Sequence, residues 1–501
     1  MNAMHLDQLL LGMAEAQLAT APAAARMLVS GLTLDSRQAH RGDAFLALRG
    51  SKSHGIEFAA VAVQRGAQLV LAESPVVEWE ALGVPVLWID GLREQAGEIA
   101  ARFHGRPSES LRMVGVTGTN GKTSCVQLMA QALTLLGHRA ASIGTLGAGV
   151  HGQLREGERT TPDALAVQQL LANFRDANVS HVAMEVSSHA LEQGRVAAVD
   201  FEVAIFTNLS HDHLDYHGSM QAYGAAKAKL FAWPGLRAAV INTDDAFGQQ
   251  LAAQLPTSVK AWRFSMADDS DAEISASQIV TSSEGLAFNL RTPWGSRALN
   301  SHLLGRFNVA NLLAVIGCLG AMGESFERIV TVVERLQPVN GRMNRLGGLH
   351  GQPLVVVDYA HTPDALEQAL SALRAHCAGR LICVFGCGGE RDAGKRPLMG
   401  AIAAQLADIA IVTDDNPRSE DGDAIVAQIV AGMTPARAMT VERDRAQAIG
   451  QAMQLARSGD VVLIAGKGHE TYQDGAAGKR AFDDLAVAQA ALEQSQGELR
   501  A

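Results

Sequence analysis

At 501 residues the chain is long enough for about three domains of ~150 residues, and its composition (48% hydrophobic, 19% charged) excludes a disordered, collagenous or low-complexity protein. Lys and Arg number 42 against 52 Asp and Glu, a formal charge of −10, so no global basic field exists to hold nucleic acid or an anionic membrane, and any anionic ligand must be met by local clusters. Cys125, Cys318, Cys377, Cys383 and Cys387 are odd in number and form no C-x-x-C, which argues against a disulfide framework or a structural zinc site and fits a reducing compartment. No run of ~18 apolar residues could span a membrane. Leu9-Leu10-Leu11 follows Asp7 and precedes the first basic residue, Arg26, so the charge order of a secretory signal is missing and a cytoplasmic protein is expected.

In chain order, residues 1–108 alternate short apolar runs (44–48, 68–72 and 85–89) with helix-like stretches and read as a small α/β domain; Arg106-Pro107-Ser108 punctuates its end. Residues 109–337 place strands at 111–117, 181–186, 201–207 and 238–242 between helical patterns, which predicts a parallel sheet covered by helices. From about 260 to 300 the pattern becomes strand-rich, as for an antiparallel flank, and 307–322 reads as a helix. Pro338-Val339-Asn340-Gly341 is the next joint, and 338–501 repeats strands at 354–358, 381–385, 408–413 and 461–465 as a third α/β domain.

The strand Met113–Thr117 runs into Gly118-Thr119-Asn120-Gly121-Lys122-Thr123-Ser124, after which apolar positions 125, 126, 128, 129, 132, 133 and 136 occur at helical spacing. Strand, glycine loop and helix stand in the order of a phosphate-binding loop. Backbone N–H groups and the helix N-terminus suit phosphates, Lys122 suits the outer phosphates, and Thr123 suits Mg²⁺. The loop is a G-x-x-G-K-T variant, since the longer G-x-x-x-x-G-K-[ST] would need Gly where Val116 stands. Glu185 ends one predicted strand and His213 comes shortly after another, so a parallel sheet brings both to one edge. His211-Asp212-His213-Leu214-Asp215-Tyr216-His217 nearly spells the H-x-H-x-D-H of two-metal zinc hydrolases, but Tyr216 breaks the spacing. In the third domain Asp358-Tyr359-Ala360-His361, Gly386–Asp392, Asp414–Arg418 and Gly466–Glu470 each come directly after a strand, so four polar loops share the edge where open parallel sheets bind ligands.

Gly118–Thr123, Met184–His189, Asn208–Asp215 and Asp415-Asn416-Pro417-Arg418 together resemble the Mur ligases, ATP-dependent amide-forming enzymes of peptidoglycan precursor synthesis. The resemblance covers the whole chain. It implies an N-terminal UDP-binding domain, a central P-loop ATPase-like domain and a C-terminal Rossmann-like domain, with a place in cell-wall biogenesis and hence in cell shape and division. The member most resembled joins meso-2,6-diaminopimelate to UDP-N-acetylmuramoyl-L-alanyl-D-glutamate through an acyl phosphate, as a cytoplasmic monomer. By resemblance Lys122, Glu185, His213 and Lys227 are catalytic. Thr123, Glu185, His213 and Lys227 hold two Mg²⁺, Lys227 as a carbamate formed with CO₂. Asn308, Arg342 and Asp358 join the loop in contacting ATP. Leu34, Ser36, Ser51, Lys52, Ser53, Thr160, Thr161, Ser187, Gln193 and Arg195 meet the UDP-linked dipeptide. Arg391, Asp415, Asn416, Pro417, Arg418, Gly466 and Glu470 hold the incoming amino acid. A lysine-adding homologue and the folylpolyglutamate synthetases share the phosphate loop, and the UDP-type first domain with the Asp-Asn-Pro-Arg loop disfavours both. A nucleotide-gated binding module is the reading from another class, and it would release phosphate without dipeptide or amino acid.

Overall fold

The computed structural model describes residues 3–50, 53–267, 271–349, 351–433 and 438–500, without the side chains of 495–500. Among the described residues no helix is long and apolar enough to cross a membrane. The chain forms two compact units, one of 1–264 with 317–324, the other of 265–316 with 325–501.

In the first unit Met4–His5 (β1) pairs antiparallel with Leu28–Val29 (β2). Gly31–Thr33 (β3), Asp43–Ala47 (β4), Leu69–Glu73 (β5) and Val86–Ile89 (β6) form a parallel sheet in that order. Alternate residues of β4 and β5 feed two cores. Ala44, Leu46, Leu69 and Leu71 pack with Leu92, Ala96 and Ile99 of the helix Leu92–Phe103, whereas Phe45, Ala47, Val70 and Ala72 pack with Ala59 and Ala62 of the helix Ala59–Arg65. Strands buried on both faces read as unbroken apolar runs, which is why composition located them. The run expected at 44–48 ends at Ala47, because the Leu48 carbonyl turns away to accept the Gly55 N–H at 2.9 Å.

The second sheet of this unit is laid down by Arg112–Thr117 (β7), Ala140–Gly144 (β8), Gly147–Val150 (β9), His181–Glu185 (β10), Phe201–Phe206 (β11), Ala238–Asn242 (β12) and Lys260–Ser265 (β13). Their order is β13-β12-β11-β7-β10-β8-β9, parallel except for the β8–β9 hairpin. After β10 the chain crosses to the far side of β7 to place β11. That reversal opens a crevice at the carboxyl ends of β7, β10 and β11, where such sheets take ligands.

The second unit begins with an antiparallel meander of Ile274–Ser282 (β14), Gly285–Thr292 (β15) and Gly295–Ser301 (β16), the flank expected from the strand-rich stretch. The helix Phe307–Ala321 comes next, one residue shorter than its pattern. Asn344–Gly347 (β17), Leu354–Asp358 (β18), Leu381–Phe385 (β19), Ile409–Val412 (β20), Ala438–Val441 (β21) and Val461–Ala465 (β22) form a sheet ordered β17-β18-β22-β19-β20-β21, in which only β17 is antiparallel. A hairpin of Tyr472–Gly475 (β23) and Gly478–Ala481 (β24) ends the run of strands, and the sequence pattern did not announce it. The meander is tied to this sheet's side of the unit by buried His376, whose Nδ1 donates to Ser282 O (2.6 Å) while Nε2 accepts from Gly305 N (2.8 Å). Arg345 adds bonds to the carbonyls of Ser283, Glu284 and His302. The architecture is α/β with parallel sheets, as the alternation of elements predicted.

Candidate active site

The phosphate loop leaves β7 and enters the helix Lys122–Leu135. Gly118 has φ +145°, and a Cβ there would stand 1.9 Å from Thr207 Oγ1, so only glycine lets the loop lie against the end of β11. Cross-loop bonds set its shape: Thr119 N donates to Asn208 O (2.8 Å), Asn120 N to Asn208 Oδ1 (2.9 Å), and Thr207 Oγ1 to Asn120 O (2.6 Å). Lys122 folds back so that Nζ donates to Gly118 O and Thr119 O, both at 2.8 Å. Gly121 is also left-handed, and Ser124 stands half-buried in the helix's first turn.

Glu185, at the end of β10, is almost wholly buried beside the loop. Burial raises its pKa; Lys122, the Thr145 N–H, and the Thr123 and Thr145 hydroxyls pull it back. Thr123 Oγ1 donates to Glu185 Oε2 (3.1 Å), Thr145 N to Oε1 (2.8 Å), and Thr145 Oγ1 to Oε2 (3.2 Å). Gly144 makes room, since a Cβ there would meet Glu185 Oε1 at 2.2 Å. A carboxylate and a threonine hydroxyl side by side are the oxygen donors that Mg²⁺ prefers, so the set fits that ion.

Lys227, on the helix Met220–Ala228, is 1% exposed. Its Nζ donates to Gly118 O (2.8 Å) and lies 4.3 Å from the centre of the Tyr223 ring. Burial, with repulsion from Lys122, lowers its pKa to about 6. Tyr223 OH is 3.2 Å from Thr119 Oγ1, so this helix and the phosphate loop share one wall. His213 has a left-handed backbone (φ +52°) and lies 3.5 Å from Asp212 Oδ2, its ring 4.9 Å from His189 and 6.0 Å from Tyr223. His217 reaches Ser188 Oγ (3.0 Å). Among the described residues no group of three or more His, Cys, Asp or Glu is gathered as a metal site. His213 and Lys227 thus flank the loop, and a second cation there needs an oxygen donor that a lysine amine lacks.

Beside Glu185, Thr161 Oγ1 donates to Glu185 O (2.8 Å) and accepts from Ser187 N (3.2 Å), while Thr160 Oγ1 lies 3.2 Å from Thr145 Oγ1. Ser187 Oγ caps the helix Ser188–Glu192. Arg195 donates to Gln193 Oε1 (3.0 and 2.5 Å) and to Thr161 O (3.0 Å), and Gln193 donates on to Tyr216 OH (3.1 Å). Farther along this unit, Leu34 and buried Ser36 flank a turn capped by Asp35, and Ser53 O accepts from Gly50 N. Ser51 and Lys52 lie outside the described residues.

In the second unit Asn308 Nδ2 donates to Leu304 O (2.7 Å), and the Asp358 carboxylate accepts from Met343 N (2.8 Å) and Ala360 N (2.9 Å) while burial raises its pKa. The Arg342 guanidinium sits 5.6 Å from the Tyr359 ring centre, and its buried Nε has no hydrogen-bond partner among the described residues. At the carboxyl ends of β20 and β22, Asn416 Nδ2 donates to Glu470 Oε2 (2.9 Å). Fully buried Lys467 donates to Asn416 Oδ1 (2.9 Å) and Glu470 Oε2 (3.1 Å). Asp415 is 6% exposed beside Gly466; burial raises its pKa against the pull of Arg445 and Lys467. Arg418, φ +53°, donates from Nη1 to Gly389 O (2.5 Å) and lies 3.9 Å from Asp474 Oδ2, next to Pro417; Arg391 is exposed on the neighbouring loop.

The sequence singles out neither Thr145 nor Gln473, and it places Lys467 on a ligand-edge loop without a role of its own. Thr145 carries no local signal, because its contact with Glu185 exists only once β8 lies beside β10. Lys467 and Gln473 sit in polar stretches, yet both are buried.

Three family models match the chain in turn. Residues 28–104 match the model described as Mur ligase family, catalytic domain, 116–319 the Mur ligase middle domain, and 341–468 the Mur ligase, glutamate ligase domain. A protein of Xanthomonas oryzae pv. oryzae named UDP-N-acetylmuramoyl-L-alanyl-D-glutamate--2,6-diaminopimelate ligase is 57% identical, over 93% of this chain and 94% of its own. One of the same name from Xylella fastidiosa is 51% identical, over 94% and 95%. A solved structure so named superposes with a TM-score of 0.76 at 37% identity, over 99% of each chain. A Mycobacterium tuberculosis folylpolyglutamate synthase complexed with ADP shares the fold alone, at 18% identity and a TM-score of 0.59 over 74% of this chain and 91% of that one.

Proposed function

The chain belongs to the Mur ligase family, and we propose from that premise the reaction its residues carry out. It is an ATP-dependent ligase of peptidoglycan precursor synthesis that adds diaminopimelate to UDP-N-acetylmuramoyl-L-alanyl-D-glutamate. ATP first phosphorylates the D-glutamyl γ-carboxylate, because a free carboxylate is a poor electrophile. The amine of meso-diaminopimelate then attacks the acyl phosphate carbon, and the tetrahedral intermediate collapses with loss of phosphate. Lys122 turns from its loop carbonyls to the outer phosphates and offsets charge on the transferring group. Arg195, a planar fork fixed by Gln193 and Thr161, orients the carboxylate-bearing dipeptide, together with Leu34, Ser36, Ser51, Lys52, Ser53, Thr160 and Ser187 at its UDP and peptide ends. Asn308, Arg342 and Asp358 meet the nucleotide, Arg342 offering an unused buried donor.

Thr123 and Glu185 would hold one Mg²⁺, and His213 with Lys227 as a carbamate would hold a second; bound there, the ions would neutralise phosphate charge. The support for the carbamate is the burial of Lys227 beside the phosphate loop, which lowers its pKa to about 6: a neutral amine there would attack CO₂, an N–C bond would form, a proton would leave, and a neutral nitrogen donor would become an anionic oxygen donor. All five cysteines are free, which supports a cytoplasmic setting.

The observation that carries the choice of amino acid is the convergence of Arg418, Asn416, Glu470 and buried Lys467 at one sheet edge. Diaminopimelate differs from lysine by a carboxylate on its distal carbon, which Arg418 can pair through its remaining donors, while Glu470 receives the distal ammonium and Arg391 and Gly466 border the site. Arg418→Ala should raise the KM for diaminopimelate by about 30-fold or more and change the already poor use of lysine far less. Equal loss for both amino acids, or none for either, would contradict this assignment.

A further inference from the structure

The loop that carries Arg418 is held on two sides, by Gly389 and Lys467 on one and by β23 on the other. Arg418 is in the left-handed region, which a residue with a side chain seldom occupies unless its surroundings fix it. The partners of its backbone and of the residues just before it include two from β23. Asp474 brackets the loop with its backbone, its N–H donating to Asn416 Oδ1 (2.9 Å) and its carbonyl accepting from Arg418 N (3.0 Å). Gln473, 5% exposed, uses Nε2 to donate to Asp415 O (2.8 Å) and Asp414 O (3.3 Å). Its Oε1 accepts from Nε (3.1 Å) and Nη2 (2.6 Å) of Arg480, an exposed residue of β24. A guanidinium can only donate, so it forces the amide oxygen outward and turns the amide N–H₂ toward the loop.

We propose that the β23–β24 hairpin is the template for amino-acid selection: Gln473 is a positioning residue that holds the Asp415–Arg418 loop, and Arg480 fixes the orientation of Gln473. The inference rests on the function proposed above and extends it to residues that need not touch the substrate. The chain of dependence runs from a surface arginine, through one buried amide, to the carbonyls just before the cation that reads the distal carboxylate. A loop released from the hairpin would still carry Arg418, but without its left-handed geometry the guanidinium would leave the position that distinguishes diaminopimelate from lysine.

The test compares the full-length enzyme with Gln473→Leu, which keeps the buried volume and removes the two bonds to the loop together with the two from Arg480, and with Arg480→Met and Arg480→Lys, at a surface position where loss of the fold is not at issue. Gln473→Leu should raise the KM for diaminopimelate about 10-fold and lower the preference over lysine by a similar factor. Arg480→Met should do so about 3-fold, and Arg480→Lys, which retains a donor, should restore most of it. In all three, kcat and the KM values for ATP and for the UDP-linked dipeptide should stay within about 2-fold of the parent, the split that separates positioning from general damage. Unaltered preference, or a fall of every parameter together, would overturn the hairpin's role. Arg418→Ala, assayed alongside, separates the two levels. Loss of diaminopimelate use there without any effect at Gln473 and Arg480 refutes this inference and leaves the function standing. A parent enzyme indifferent to diaminopimelate refutes both.

Discussion

Lys227→Met should stabilise the protein near neutral pH, by an amount that shrinks as the pH rises. The lysine is 1% exposed, with one carbonyl, Gly118 O, and one aromatic face against its amine. Its pKa falls from 10.5 to about 6 on folding. Between those values the unfolded chain binds a proton that the folded chain does not, so stability falls by about 1.4 kcal/mol for each pH unit of acidification. At pH 7 the ordinary pKa is about 3.5 units away, a cost of about 5 kcal/mol; at pH 9 it is about 1.5 units away, a cost of about 2 kcal/mol. Methionine removes that cost and forfeits one hydrogen bond worth about 1 kcal/mol, which leaves a gain of about 4 kcal/mol at pH 7 and about 1 kcal/mol at pH 9. Urea unfolding of both proteins at the two pH values, in CO₂-free buffer so that the amine is not carbamylated, measures the difference. A difference independent of pH, or a variant less stable than the parent at pH 7, would refute the reasoning.

Lys122→Ala should lower kcat/KM by several orders of magnitude with the circular dichroism unchanged, since the side chain bonds loop carbonyls in the structure and is proposed to meet the phosphates; near-normal turnover in a folded variant would remove the ATP assignment. Thr145→Val keeps the backbone N–H to Glu185 and deletes the hydroxyl, so Mn²⁺ affinity read by electron paramagnetic resonance should weaken about 10-fold; unchanged affinity would show that Thr145 does not orient Glu185.

The phosphate loop was legible because its signal is local: an apolar strand, two glycines, a lysine and a helical repeat lie close together in the chain. Glu185 was legible as the polar end of a buried strand. The contacts that escaped are non-local. Thr145 acquires its role only when β8 pairs with β10, and Gln473 only when a hairpin folds over a loop far earlier in sequence, so no window of sequence contains either contact. The same holds for the clustering of the meander with the C-terminal sheet. The joint at 338–341 reads as a break from its proline and glycine, while the bonds of His376 and Arg345 to carbonyls of residues 282–284 and 302 tie 265–316 to the C-terminal sheet. Strand ends shifted by a residue for an opposite reason: a single turn bond, such as Gly55 N to Leu48 O, decides them, and hydropathy does not record it.

The most direct test is to incubate the purified protein with MgATP and UDP-N-acetylmuramoyl-L-alanyl-D-glutamate, adding meso-diaminopimelate, L-lysine or neither, and to read products by intact mass. The account predicts UDP-muramoyl-tripeptide with diaminopimelate, one phosphate released per product, and little of either with lysine or with no amino acid. Phosphate release that ignores both the dipeptide and the amino acid, or tripeptide formed equally well with lysine, would contradict it.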